Sequence, residues 1–205
     1  MKNIVLASNS RYRGELLRKL GLEFISCAGD VDETARAGET PPQLATRLAF
    51  DKAASVAKRF PDHLIIGSDQ VAVCDDFMLG KPGDRDNAIR QLTAQSGKSV
   101  RFYTGICVLD SASGRFLTDL DLCEVHFRTL DAEQIHRYID IDQPFDCAGS
   151  FKSEGLGIVL LKKIVGNDPN ALVGLPLIKL TDLLGQFGLA MPVRNFFSGA
   201  SNSNT

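Results

Sequence analysis

The sequence predicts an α/β fold: one domain built as two lobes. Three observations carry that expectation. Apolar runs of strand length alternate with segments that begin on helix-start signals. Hydrophobic residues make up 44% of the chain and charged residues 23%, which is the balance of a folded globule rather than a disordered chain. The 205 residues suit one larger domain or two small lobes sharing a core, and no repeat or clean linker divides them.

The elements follow in order. Asn3–Ala7 predicts a buried first strand, its apolar stretch too short for a signal peptide. A turn at Ser8-Asn9-Ser10 leads into a helix to about Leu20. Leu22–Ala28 predicts a second strand, and Gly29–Glu39 an acidic loop. Thr40 before Pro41-Pro42 reads as an N-cap with proline in the first turn of a long helix ending near Phe60. Leu64–Cys74 is a strongly apolar strand, after which Asp75-Asp76 turns the chain back. Asp84 caps a helix to about Ser96. Val100–Leu109 and Phe116–Arg128 form strands joined at Ser111–Gly114, a hairpin signature. Asp131-Ala132-Glu133-Gln134 opens a helix to about Ile141 with a capping box. Leu156–Ile164 predicts a strand and Pro176 opens the last helix. Residues 1–191 form the expected domain, and the Ser-, Asn- and Gly-rich stretch 192–205 is expected to be a loose tail.

Composition excludes several function classes. With 23 basic and 25 acidic residues and no basic block, neither nucleic acid nor a membrane surface is an expected partner. No apolar run is long enough to span a bilayer. The five cysteines are odd in number and lack a Cys-x-x-Cys pair, which points to a reducing cytoplasm. The three histidines are scattered, so zinc has little support.

The functional signal is polar groups placed where a core belongs. Asp69 interrupts the strand Leu64–Cys74, apolar on both faces except at Ser68, Asp69 and Gln70. A buried carboxylate must meet a cation, a metal or strong donors; alternatively Asp69 ends the strand and bonds loop amides. In the helix from Pro41, Lys52 falls in the inward row Leu44, Leu48, Lys52, Val56, beside the alanine row 45, 49, 53 and 57. Lys52 either snorkels to the rim or aims at an anionic site shared with Asp69. Arg13 sits in a first helical turn, where the helix dipole disfavours a cation unless an anion is near. The Ser8–Ser10 turn supplies hydroxyls and amides that can both cap the helix and cradle a phosphate. Gly80-Lys81-Pro82 puts a cation on a rigid turn. Lys152 and Glu154 share one side of an expected extended segment, as a site pair or as a surface ion pair. Inward cations with several carboxylates fit a polyphosphate and its metal ion. No Walker-type Gly-x-x-x-x-Gly-Lys-Ser/Thr run occurs, so this is not a P-loop protein.

Six collinear segments complete the picture: Ser8-Asn9-Ser10-Arg11-Tyr12-Arg13, Val31-Asp32-Glu33-Thr34, Ala49–Ala53, Gly67-Ser68-Asp69-Gln70, Gly80-Lys81-Pro82 and Gly149–Gly155. From Asn3 to about Phe187 they resemble the Maf family of nucleoside triphosphate pyrophosphatases. The resemblance implies a Maf/inosine-triphosphatase-like fold, with a long mixed twisted sheet flanked by helices and a cleft between the lobes, often in a homodimer. It implies cleavage of a small-molecule nucleotide between its α- and β-phosphates with a divalent cation, Mg²⁺ or Mn²⁺. Asp69 looks like the proton acceptor, with Ser8, Arg13, Lys52, Lys81 and Lys152 on the substrate; Glu33 and Asp69 are the candidate metal ligands. Whether Asp69 serves as base, ligand or both stays open.

Family members acting on dTTP and UTP usually carry Ser-Asp-Thr centrally, arginine at position 12 and glutamine at 154. Tyr12, Gln70 and Glu154 look instead like the subgroup acting on 7-methyl-GTP, an activity that would keep modified nucleotides out of nucleic acids. The chemistry agrees. N7-methylation makes guanine cationic, so an aromatic face gains on the order of 0.5–2 kcal/mol by cation–π attraction. A carboxylate can accept from the ring N–H and exocyclic amine. The competing readings are pyrimidine triphosphate cleavage and a non-catalytic nucleotide-binding regulator of division.

Overall fold

The computed structural model describes residues 2–192. Its spine is a seven-stranded mixed sheet. In chain order the elements are β1 (Asn3–Leu6), α1 (Arg11–Arg18), β2 (Phe24–Ser26), α2 (Pro41–Ala57), β3 (His63–Cys74), β4 (Phe77–Leu79) and α3 (Arg85–Gln95). The hairpin β5 (Ser99–Asp110) and β6 (Phe116–Phe127) follows, then α4 (Ala132–Asp142), β7 (Leu161–Gly166) and α5 (Leu177–Gln186). Strand order is β2-β1-β3-β5-β6-β7, with β4 also on β3. β1 runs parallel to both β2 and β3, and every other pairing is antiparallel. The α/β fold with a long mixed sheet is therefore as expected.

The capping signals set the helix starts. Ser10 accepts the Arg13 amide at 3.4 Å, and Asp84 accepts that of Asn87 at 2.7 Å. Asp131 and Gln134 exchange the two bonds of a capping box, at 2.8 and 3.0 Å.

Two expectations need correction. The run Leu156–Ile164 is not one strand: Leu156–Leu160 is a 3-10 turn and β7 begins only at Leu161. A Cβ on Gly157 would lie 2.2 Å from the Lys152 carbonyl oxygen, so the chain coils tightly here before it can extend. β4 was not foreseen; the turn at Asp75, with φ 52°, returns the chain onto β3 for three residue pairs. The tail beyond Pro192 lies outside the described residues.

The arrangement of β3 positions the site. On one edge β5 pairs along Leu64–Cys74. The other edge is shared: β1 takes His63–Ile66 and β4 takes Ala72–Cys74. Between them, residues 67–71 face a notch in the sheet. One sheet face carries two apolar clusters, one around Leu64, Ile66, Ile106 and Val108, the other around Ala72, Cys74, Val100 and Phe102. Ser68, Gln70 and Thr104 form a polar belt between them, and this belt is where the lobes divide.

On the opposite face α2 lies close to the sheet. A Cβ on Gly67 would sit 2.0 Å from the Ala49 carbonyl oxygen, and one on Gly105 would sit 2.3 Å from that of Ala45. Glycines below and alanines above allow this approach, which lowers Lys52 onto the notch.

Candidate active site

A cleft of about 810 Å³ opens at the notch. Asp69 points into it from β3, only 8% exposed. Lys52 meets it from α2, its Nζ donating to Asp69 Oδ1 at 2.5 Å and to Glu33 Oε1 at 2.6 Å. Lys52 therefore does not snorkel, and Asp69 does not merely end the strand. Burial pushes the Glu33 carboxyl up, but Lys52, Lys81 and Arg13 outweigh it and hold the group below its ordinary range.

Arg13 reaches the same region from the first turn of α1. Its Nε donates to the Gly174 carbonyl at 2.9 Å. Burial lowers its pKa, while Asp69 and Glu33 offset part of that effect, so two carboxylates supply the negative charge its helix position requires. Ser8, nearly buried, accepts the Ser10 amide on its Oγ at 3.1 Å and fixes the turn beneath the α1 N-terminus. Lys81 lines the cleft from the Gly80–Pro82 turn with its side chain exposed. Asp69, Glu33, Lys52, Arg13, Ser8 and Lys81 thus share one end of one cavity.

The other end carries Tyr12 and Glu154. Burial raises the Tyr12 phenol, with Asp146 and Glu154 adding to the effect and Lys152 opposing it. Asp146 and Cys147, which sequence reasoning missed, also line this end. The Cys147 thiol donates to Asp146 Oδ1 at 3.4 Å, and burial with that carboxylate pushes its pKa up to about 12, so it remains a neutral donor.

Two expected site residues are placed differently. Lys152 is absent from the cleft lining: its Nζ donates to the carbonyls of Asp142 (2.9 Å) and Gln143 (3.2 Å) at the C-terminus of α4. A cation is favourable at that helix end. The segment around it is a turn rather than extended backbone, so Lys152 and Glu154 are not paired; the nearest carboxylate to Lys152 is Asp146, at 3.8 Å. Gln70 does line the cleft, but its Nε2 is spent on Thr104 Oγ1 and on the carbonyls of Ala171 and Leu172, all within 3.1 Å. Thr104 carries a signal like that of Asp69, a polar residue in the otherwise apolar alternate row Val100, Phe102, Ile106 and Val108 of β5.

A family model described as Maf-like protein matches residues 3–187. The chain belongs to the Maf-like family. Among curated proteins, this Maf-like chain is 56% identical over 190 residues to the 7-methyl-GTP pyrophosphatase of Alcanivorax borkumensis, covering 93% of this chain and 96% of the relative. It is 50% identical over 192 residues to the 7-methyl-GTP pyrophosphatase of Pseudomonas aeruginosa, covering 94% of this chain and 100% of the relative. Among solved structures, the Staphylococcus aureus Ham1 protein aligns with a TM-score of 0.47 and 15% identity over 62% of this chain and 73% of its own.

Among the described residues, no group of three or more His, Cys, Asp or Glu side chains is placed to hold a metal by itself. Glu33 and Asp69 nevertheless converge on one point, the Lys52 ammonium. Two carboxylates completed by phosphate oxygens and water form the donor set of a hard divalent cation bound together with its substrate. The residues fit such an ion. No helix among the described residues is long and apolar enough to cross a membrane.

Proposed function

We propose that this Maf-like protein hydrolyses the α–β phosphoanhydride of 7-methyl-GTP, giving 7-methyl-GMP and pyrophosphate. The observation that carries the reading is one cleft with two chemically different ends. Cations surround a carboxylate at one, and an aromatic ring lies among carboxylates at the other. A triphosphate matches the first end and a cationic purine the second. Relatives at 50–56% identity named 7-methyl-GTP pyrophosphatase support the same substrate.

Asp69 accepts the proton of the attacking water. The water oxygen bonds to phosphorus, the anhydride P–O bond breaks, and pyrophosphate leaves with the bonding electrons. Arg13, Lys52 and Lys81 stabilise the charge that develops on the phosphates. Lys52 also holds the Asp69 carboxylate aimed into the cleft before substrate arrives. Glu33 and Asp69 would hold a magnesium or manganese ion, which when bound would supply further charge neutralisation at the triphosphate. Tyr12 stacks on the methylated base, and Glu154 accepts from its N–H groups. The five thiols are free of disulfides, which suits a reducing cytoplasm.

A substrate panel tests the assignment. Pyrophosphate release is measured from 7-methyl-GTP, GTP, UTP and dTTP, with and without magnesium. The expected result is metal-dependent release with 7-methyl-GTP preferred. Equal rates on UTP and dTTP would defeat the substrate assignment, and no release from any triphosphate would leave a binding protein.

A further inference from the structure

The wall of the cleft opposite α2 is the Ala171–Val173 3-10 turn together with Gly174, and its carbonyls are tied by side chains from the polar belt. Thr104, fully buried on β5, donates from Oγ1 to the Ala171 carbonyl at 3.0 Å. The same oxygen accepts from Gln70 Nε2 at 3.0 Å, and that nitrogen also reaches the carbonyls of Ala171 and Leu172. Ser68 Oγ lies 2.9 Å from the Gly174 carbonyl, which also accepts from Arg13 Nε. Two strands and one site arginine therefore hold a single run of backbone, and Leu172, Val173 and Gly174 of that run line the cleft.

The donor count is informative. Gln70 Nε2 has two hydrogens and three acceptors within reach, so none is left for a nucleotide. Only its Oε1 is free to face substrate. Thr104 has one hydrogen, which goes to Ala171. Apolar clusters flank the belt on both sides, so water cannot readily replace a lost donor there.

We propose that Thr104 is a positioning residue for nucleotide binding. Together with Gln70 it fixes the Ala171–Gly174 carbonyls, and through them the cleft wall. Residue 70 accordingly influences substrate choice largely by placing that wall. The proposal rests on the reading of the cleft as a nucleotide site.

Thr104→Val keeps the side-chain shape and removes the donor; Thr104→Ser keeps the donor. With the triphosphate that the wild type prefers, Thr104→Val should raise KM about tenfold, the scale of one buried hydrogen bond, while kcat changes much less. Thr104→Ser should stay close to wild type. Hydrogen exchange should quicken at residues 171–175 in Thr104→Val and remain unchanged in α2. Unchanged KM and exchange in Thr104→Val would overturn the proposal. So would a Thr104→Ser variant as impaired as Thr104→Val, because keeping the hydroxyl would then not be enough to hold the wall. If the wild type cleaves no triphosphate, the functional reading fails on its own, and the exchange measurement still decides whether Thr104 holds the wall.

Discussion

A carboxylate in the middle of an apolar strand needs a partner, and Asp69 has one in Lys52. Neither residue could be paired from spacing alone, because they lie on different elements. Each could be singled out because it broke the apolar pattern of its own element. The lysine at position 152 shows the limit of that reasoning. Its charge was legible, but its direction was set by the open carbonyls at the end of α4, which are visible only once the turn after that helix is built. Asp69→Asn tests the central role. The amide cannot take the proton of water, but it preserves size and one acceptor facing Lys52. We expect kcat to fall by roughly 10²–10⁴-fold with the circular dichroism spectrum and melting temperature little changed. Turnover within a few-fold of wild type would remove Asp69 from the chemistry.

Among the elements, α2 and β3 set the site. The alanine row of α2 was legible as an inward stripe, yet its purpose emerges only opposite Gly67 and Gly105, where helix and sheet backbones come almost into contact. Substituting Gly67 by alanine drives a methyl into the Ala49 carbonyl, a backbone atom with nowhere to go. Overpacking of this kind costs about 1–3 kcal/mol or more. The helix must lift, and Lys52 lifts with it. Gly67→Ala should therefore lower both urea stability and kcat/KM, although residue 67 itself contributes no functional group. A variant that loses stability with unaltered kcat/KM would show that the seat of α2 does not control Lys52. Short elements were the ones missed. β4 has three residues and an exposed Phe77, too little for a period to register. The Leu156–Leu160 turn reads as a strand because its apolar run hides how closely Gly157 packs against Lys152 and Phe151.

For the whole molecule, the question is whether two lobes with a polar belt between them behave as one unit. On the belt face the apolar clusters are separate, one containing Leu17 and the other Leu92. Two features oppose independence. β3 and β5 are 12 residues long and contribute side chains to both clusters. On the other face α2 crosses the boundary, packing Ala49, Ala53 and Val56 near Ile65 and Cys107, and Leu44, Ala45 and Leu48 near Val71 and Val73. Melting one lobe would strip half of each shared strand and half of α2 from their partners, so unfolding should be cooperative. Leu17→Ala and Leu92→Ala, one in each lobe and both fully buried, test this. Each removes about 2–5 kcal/mol, which for a chain of this size moves the melting temperature down by roughly 5–15 °C. The expected result is a single calorimetric transition in both variants, with far-UV circular dichroism and tyrosine fluorescence moving together. If Leu17→Ala splits the melt and leaves the lobe around Leu92 at the wild-type temperature, the polar belt is a true domain boundary and the shared strands do not couple the lobes.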